Sequence, residues 1–229
     1  MERYRRNFNT LSPVEQVILS NSRVAVIGLG GLGGGVVEML ARIGVGTLVL
    51  MDGDLFETSN LNRQILATEA LVGHSKAGAA RDRVRAINTT VQVTAFHNFL
   101  DSENADATVR GCDLVIDCLD SIEARFLLED ACRRAEIPLV SGAIAGTLGQ
   151  VITIFPQDPG LKLIYGDRSS PRADGVEKEV GNLSYTPMFV AAIETSEAVK
   201  VLLNRGELLR NRLLIVDLMA LSFDLVELT

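Results

Sequence analysis

Three glycines spaced G-x-G-x-x-G, namely Gly28, Gly30 and Gly33, come directly after the apolar run RVAVI. Glycines at a strand-to-helix junction let the backbone turn tightly and approach an anion. The first N–H groups of the helix, with its dipole, then point at that anion. The chemistry this spacing suits is phosphate binding. In a dinucleotide site an acidic residue about 20 positions on accepts hydrogen bonds from ribose hydroxyls, and Asp52 stands 19 residues after Gly33. A nicotinamide dinucleotide and ATP both satisfy this much, and Asp-Gly is also common turn chemistry.

The next stretch separates them. MDGDLFETSNLNRQ carries Asp52, Asp54, Asn60, Arg63 and Gln64, and Lys76 follows in VGHSK. A dinucleotide site has no need of a dense set of Asn, Arg and Lys after its second strand. A triphosphate with Mg²⁺ does, because charge on a departing pyrophosphate must be neutralised. Asp120 ends the run DLVIDCLD, and ligands of open α/β sheets gather at the carboxyl ends of strands. A carboxylate there suits Mg²⁺, which typically takes one or two carboxylates together with phosphate oxygens and water.

Such a set needs a scaffold that brings several strand ends together. SPVEQVILS reads as a short helix, with Ser12 as its cap, Pro13 at the first position and Glu15 closing a capping box. RVAVIG is a buried strand, residues 33–43 a helix, and GTLVLMD a second strand. SKAGAARDRVRAIN is a helix capped by Ser75, and VQVTAF and CDLVIDCL are strands. SIEARFLLEDACRRAE is an amphipathic helix stopped by Pro138, PLVSGAIAG and GQVITIFP are strands, and TPMFVAAIETSEAVKVLLN is a helix. RLLIVDL and ALSFDLVEL are two terminal strands. Strand–helix alternation with continuously apolar strands predicts an α/β fold with a doubly wound, mostly parallel Rossmann-like sheet covered on both faces. The last three strands, read as lacking full-length helices between them, predict an antiparallel C-terminal extension. Residues 157–185, rich in Gly, Pro and charge, read as one loop of a length usual for a functional lid or a partly disordered segment.

With 229 residues, 47% of them apolar, the chain is expected to form a single domain over 1–229, with a short helical arm at 1–21. A net charge of −7 argues against a broad nucleic-acid surface. No apolar stretch follows the charged N-terminus as a secretory signal would require, and no run of some 18 apolar residues predicts a membrane span. Cys112, Cys118 and Cys132 form no C-x-x-C and leave an odd count, which suits a reducing cytoplasm. They lie in an apolar strand and a helix and read as small core residues. His74 and His97 lack a His or Cys partner and read as structural or solvated.

Four separated segments, GLGGLG, DGDLFETSNLNRQ, VGHSKAGAARDRVRAIN and DCLDSIEAR, resemble in order the superfamily of ThiF, MoeB, HesA and the ubiquitin-activating enzymes. The similarity extends to PLVSGA and the late TPMFVAAIETSEAVKVLL segment, and so covers nearly the whole chain. The resemblance implies an ATP-dependent adenylyltransferase that activates the C-terminal Gly-Gly carboxylate of a small ubiquitin-like sulfur carrier as an acyl-adenylate, in thiamin, molybdopterin or related biosynthesis. It implies a cytoplasmic homodimer. It assigns Gly28, Gly30 and Gly33 to the nucleotide loop, Asp52 to the ribose, Asn60, Arg63 and Lys76 to the polyphosphate, and Asp120 to Mg²⁺. Arg125 matches the arginine of a D-N-x-x-x-R element in which Ser121 replaces the Asn. RYRRN resembles an R-Y-x-R-Q arm whose second arginine, Arg6 here, reaches the phosphates of the neighbouring subunit.

Two departures shape the expected activity. Relatives with a structural zinc carry two C-x-x-C pairs, and tetrahedral zinc needs about four such ligands. The corresponding stretches here read LKLIYGD and VELT, so no zinc is expected. Residues 157–185 also lack the nucleophilic cysteine of several relatives, so the chain is expected to stop at the adenylate. Adenylation needs no general base, because the attacking carboxylate is ionised at neutral pH. An NAD(P)-dependent oxidoreductase on the same fold, disfavoured by the Arg63–Lys76 cluster, and a non-catalytic nucleotide-binding scaffold are the rival readings.

Overall fold

The apolar strands of the parallel half are buried on both sides, as β1 (Arg23–Ile27) illustrates. Val24 and Val26 enter one core and Ala25 and Ile27 a second on the opposite face, because successive side chains alternate across a pleated strand. β2 (Thr47–Met51) and β4 (Leu114–Asp117) divide in the same way. Leu48, Leu50, Leu114 and Ile116 have no exposed surface, and each such side chain stabilises the fold by about 1.5–3 kcal/mol. The computed structural model describes residues 2–166 and 180–228.

The eight strands form one sheet in the order β3-β2-β1-β4-β5-β6-β7-β8, completed by β3 (Gln92–Phe96), β5 (Leu139–Ala145), β6 (Leu148–Ile154), β7 (Arg212–Asp217) and β8 (Ser222–Glu227). Pairing is parallel from β3 through β5 and antiparallel from β5 through β8. One face is covered by α2 (Gly31–Ile43), α3 (Lys76–Ile87) and the long α7 (Tyr185–Leu203). The other carries α4 (Ala105–Val109) and α5 (Ile122–Arg134). α1 (Pro13–Asn21) begins with the expected Ser12–Glu15 capping box, and α2 ends on Gly44, at φ 92°, where glycine avoids the cost of a left-handed backbone.

The doubly wound parallel sheet and its antiparallel extension agree with the reading of the sequence. The stated reason for the extension needs correction, because the full 19-residue α7 lies between β6 and β7. Antiparallel pairing starts instead from the tight β5–β6 hairpin, where Ala145 pairs with Leu148 across Gly146 at φ 62°. α4 was not anticipated, since five residues are too few for helical periodicity to register. Of the expected loop 157–185, α6 (Lys162–Tyr165) forms a single helical turn, and residues 167–179 lie outside the described residues.

The winding reverses between β1 and β4, so the chains leaving these two strands diverge and open a crevice at their carboxyl ends. The glycine loop leaves β1 there, and the segment containing Asp120 leaves β4.

Candidate active site

The crevice holds a cavity of about 400 Å³. Gly28, Gly30, Asp52 and Asp54 line one part of it, and Asn60, Arg63, Gln64 and Lys76 another. Asp120 and Arg125 lie on the β4 side. Ten of the residues singled out in the sequence therefore meet in one place, contributed by the ends of β1, β2 and β4, the segment before α3, and the helices α3 and α5.

The three glycines do different work. A Cβ on Gly28, at φ 87°, would stand 2.6 Å from the Cys118 carbonyl oxygen, and one on Gly33 would stand 1.8 Å from the Gly28 oxygen. Both are fixed by close packing of the chain on itself, and Gly33 does not line the cavity. A Cβ on Gly30 would meet only the end of the Gln64 side chain, its Nε2 at 3.5 Å and Cδ at 3.8 Å, so internal contacts leave its open side to the cavity. Gly30 also caps α2, and the first N–H groups of that helix face the same space.

Asp52 ties the loop together. One carboxylate oxygen accepts the Leu29 N–H at 2.7 Å and the other the Asp54 N–H at 2.8 Å. Burial raises its pKa above the ordinary value, against the pull of Lys76 and the two N–H donors. Each oxygen keeps a further lone pair, so the group can still accept ribose hydroxyls. Lys76 is only 6% exposed and donates to Asp54 Oδ2 at 2.7 Å, which compensates a buried ammonium that would otherwise be costly. Arg63 leans on its own turn, donating to the Ser59 carbonyl and to Asn62 Oδ1. Asn60 Oδ1 accepts the Glu57 N–H and so fixes the short 3-10 turn over Thr58–Asn60 that presents this segment.

Two residues take places other than those expected, and a third, Arg6, stands apart from its own chain's cavity, as an arginine expected to act on a neighbouring subunit would. Arg125 is 2% exposed, and its guanidinium turns inward to Asp117, Ser141, the Gly142 carbonyl and the Leu119 carbonyl. Asp117 in turn accepts the Leu119 N–H. Arg125 therefore knits the ends of β4 and β5 to the segment that carries Asp120, and acts as a positioning residue. Ser121 lies outside the cavity lining and caps α5, accepting the Ala124 N–H. Arg6 is exposed and outside the cavity of its own chain. Its arm packs, through Tyr4 and Arg3, on Gly44 and Asn88 at the C-terminal ends of α2 and α3, at the amino ends of the strands, away from the crevice at their carboxyl ends.

The sequence reading missed Asn98, Phe99 and Leu100, just past β3, and Asn182, just before α7. The strand-end rule that found Asp120 applies equally to β3 and would have found the first three. Asn182 had no such signal, being brought in by a bridge to Gly146 and by donation from Asn62 Nδ2 to its carbonyl. Behind the cavity, Glu194 of α7 is wholly buried beside Cys118, with Sγ to Oε1 3.9 Å. Burial, reinforced by Asp117, pushes its pKa well above the carboxylate range.

The ThiF family model matches residues 4–229. The chain is 38% identical over 228 residues to the SAMP-activating enzyme E1 of Haloferax volcanii, covering 99% of this chain and 84% of that protein. It is also 38% identical over 203 residues to the adenylyltransferase and sulfurtransferase MOCS3 of Drosophila ananassae, of which it spans only 45%. Among solved structures, PaaA superposes with a TM-score of 0.82 at 26% identity, covering 99% of this chain and 73% of that one. MccB of E. coli, solved with ATP, shares the fold at a TM-score of 0.82 and 22% identity, covering 99% and 70%.

Proposed function

The chain belongs to the ThiF family, and on that footing we propose that it is an ATP-dependent adenylyltransferase that joins the C-terminal Gly-Gly carboxylate of a small ubiquitin-like sulfur carrier to AMP. The observation that carries this reading is one cavity that combines a glycine-lined helix start, a ribose-type acceptor, two cations and an exposed carboxylate.

With Asp52 as ribose acceptor, the base would lie toward Met51, Phe99 and Leu100, the apolar part of the lining. The triphosphate would run toward Gly30 and the start of α2. A carboxylate oxygen of the carrier attacks the α-phosphorus, the bond from that phosphorus to the bridging oxygen breaks, and the bond's electron pair leaves with pyrophosphate. The carboxylate arrives ionised, so the protein supplies position and charge. Lys76 and Arg63 do the second, their charge mattering most as pyrophosphate departs. Asp120 fits Mg²⁺, being an exposed carboxylate on the wall opposite these cations. The metal, when bound, would neutralise phosphate charge there.

The reaction is proposed to stop at the adenylate. Burial pushes the Cys112, Cys118 and Cys132 thiols above their usual range, whereas a thioester-forming cysteine needs thiolate character. A homodimeric, cytoplasmic protein without structural zinc completes the proposal. No helix among the described residues is long and apolar enough to cross a membrane.

The test is exchange of labelled pyrophosphate into ATP by the purified protein with candidate carriers ending in Gly-Gly. Exchange that depends on the carrier and on its free C-terminal carboxylate is the expected result. Exchange with no carrier, or with none of the candidates, would overturn the reading.

A further inference from the structure

An acyl-adenylate is a mixed anhydride, and an amine or thiolate within reach captures its acyl group. Among the described residues, the cavity lining contains no Ser, Thr, Tyr or His. Only Cys118 and Lys76 bring an atom that forms a stable thioester or amide. Cys118 stays a thiol, because burial and the carboxylates of Glu194 and Asp117 push its pKa well up, and the thiol form is a poor nucleophile. That leaves Lys76, one of four lysines in a chain with eighteen arginines, whose guanidinium groups keep their protons and attack nothing.

The fold works against a charged Lys76. The residue is buried, and burial disfavours an ammonium. It is also the first residue of α3, at the positive end of the helix dipole. Both effects favour the neutral amine, the form with a free electron pair. Asp54 opposes them. Its Oδ2 accepts from Lys76 Nζ at 2.7 Å, and its carbonyl accepts the Lys76 N–H at 3.1 Å, so side chain and backbone fix the pair together. Asp52, the other carboxylate near enough to feel Lys76, is turned to the Leu29 and Asp54 N–H groups. Pyrophosphate carries its charge away at the moment the adenylate forms, and from then on Asp54 is the carboxylate the ammonium keeps.

We propose that Asp54 protects the acyl-adenylate, holding Lys76 as an ammonium so that the cavity has no competent nucleophile of its own. The proposal rests on the adenylyltransferase reading and gives that site its selectivity for an incoming acceptor over its own lysine. The reaction suppressed is aminolysis. The Lys76 nitrogen would attack the acyl carbon, the bond from that carbon to the phosphate oxygen would break, and AMP would leave with the electron pair. The amine proton would go to water, and the acyl group would stay on Lys76 as an amide, ending turnover. Asp54 is a positioning residue in this scheme, acting through Lys76.

A short acetylated peptide ending in Gly-Gly, joined beforehand to AMP through its carboxylate, tests this without the chain's own adenylation step. It is incubated with the wild type, Asp54→Asn, Asp54→Glu and the double variant Asp54→Asn/Lys76→Arg, and peptide-mapping mass spectrometry locates the amide. Asp54 is itself half exposed, so its replacement leaves no cavity, and melting temperatures check folding. Asp54→Asn is expected to acylate Lys76 about tenfold faster than the wild type, because a buried ammonium without its carboxylate shifts toward the amine. Asp54→Glu is expected to return to the wild-type rate, and the double variant to lose the adduct. Exposed Lys162 supplies the reference rate in each protein. Equal acylation of Lys76 in the wild type and in Asp54→Asn would overturn the proposal while leaving the adenylation reading intact. If Asp54→Asn unfolds, the wild type decides: excess reagent is expected to acylate Lys162 well before Lys76, and the reverse order would overturn the proposal. Carrier-dependent pyrophosphate exchange by the wild type is measured alongside, and its absence would remove the adenylation reading, and this role with it.

Discussion

Asp120 and Lys76 occupy the same cavity but owe their places to different forces. Lys76 is buried and held by Asp54, whereas Asp120 is exposed at the end of β4 and held indirectly, through the Arg125 contacts to Asp117 and the Leu119 carbonyl. If Asp120 acts on charge that develops as pyrophosphate leaves, Asp120→Ala lowers single-turnover adenylate formation about 10²–10³-fold and weakens ATP binding much less, as for other preorganised charge stabilisers. An Asp120 variant that forms adenylate at the wild-type rate would show the site to be misassigned. Glu194 gives a second test. Its pKa is raised in the fold by burial and by Asp117, so the folded state keeps a proton that the unfolded chain loses above about pH 4.3. Stability therefore falls as pH rises from that value toward the folded pKa. Glu194→Gln cannot ionise, and it should melt above the wild type at pH 8 and converge with it near pH 4. In a chain of this size each kcal/mol of difference is worth about 2–4 °C, and scanning calorimetry across that pH range checks the slope.

The glycine loop shows how an element divides one motif between packing and binding. Gly33 has no room for a Cβ against the Gly28 oxygen, so Gly33→Ala forces β1 and α2 apart, and overpacking of this kind typically costs about 1–3 kcal/mol. Gly30 has only the end of Gln64 near it. Gly30→Ala should lose far less stability than Gly33→Ala yet bind ATP about tenfold more weakly, a difference of about 1.4 kcal/mol. Melting curves with and without Mg·ATP separate the two, and equal loss of stability would refute the division. The elements themselves were legible because β1, β2 and β4 are apolar without interruption and α1 and α3 carry their own caps at Ser12 and Ser75. Their assembly was less so. The antiparallel turn after β5 depends on one hairpin at Gly146, and α4 is shorter than any periodic signal. Within the site, Arg63, Lys76 and Asp120 announced themselves by charge and position, whereas Arg125 could not be read as buried, nor Asn182 as present, from local sequence. Both depend on contacts between segments far apart in the chain, Arg125 with β5 and Asn182 with Asn62.

At the scale of the molecule, the arm bearing Arg6 and the cavity lie at opposite ends of the parallel strands, so Arg6 cannot serve its own site while the arm keeps its contacts to Gly44 and Asn88. A role at phosphate would require a second copy, as the proposed homodimer supplies. The sheet also ends in β8, whose Phe223 and Leu225 are about half exposed, with Phe223 against Phe189 of α7. An unpaired edge strand with exposed apolar side chains is a surface on which another chain can seat. Complementation tests the exchange of arms. Arg6→Ala and Asp120→Ala are each expected to form adenylate poorly as homodimers. In the mixed dimer the Arg6→Ala chain keeps its own Asp120 and receives an intact Arg6 from its partner, while the Asp120→Ala chain has no competent site. Random mixing of equal amounts makes half the dimers mixed, each with one working site of two, and should restore roughly a quarter of wild-type activity. Activity that stays at the level of the separate variants after verified subunit exchange would mean that Arg6 acts within its own chain or not at all.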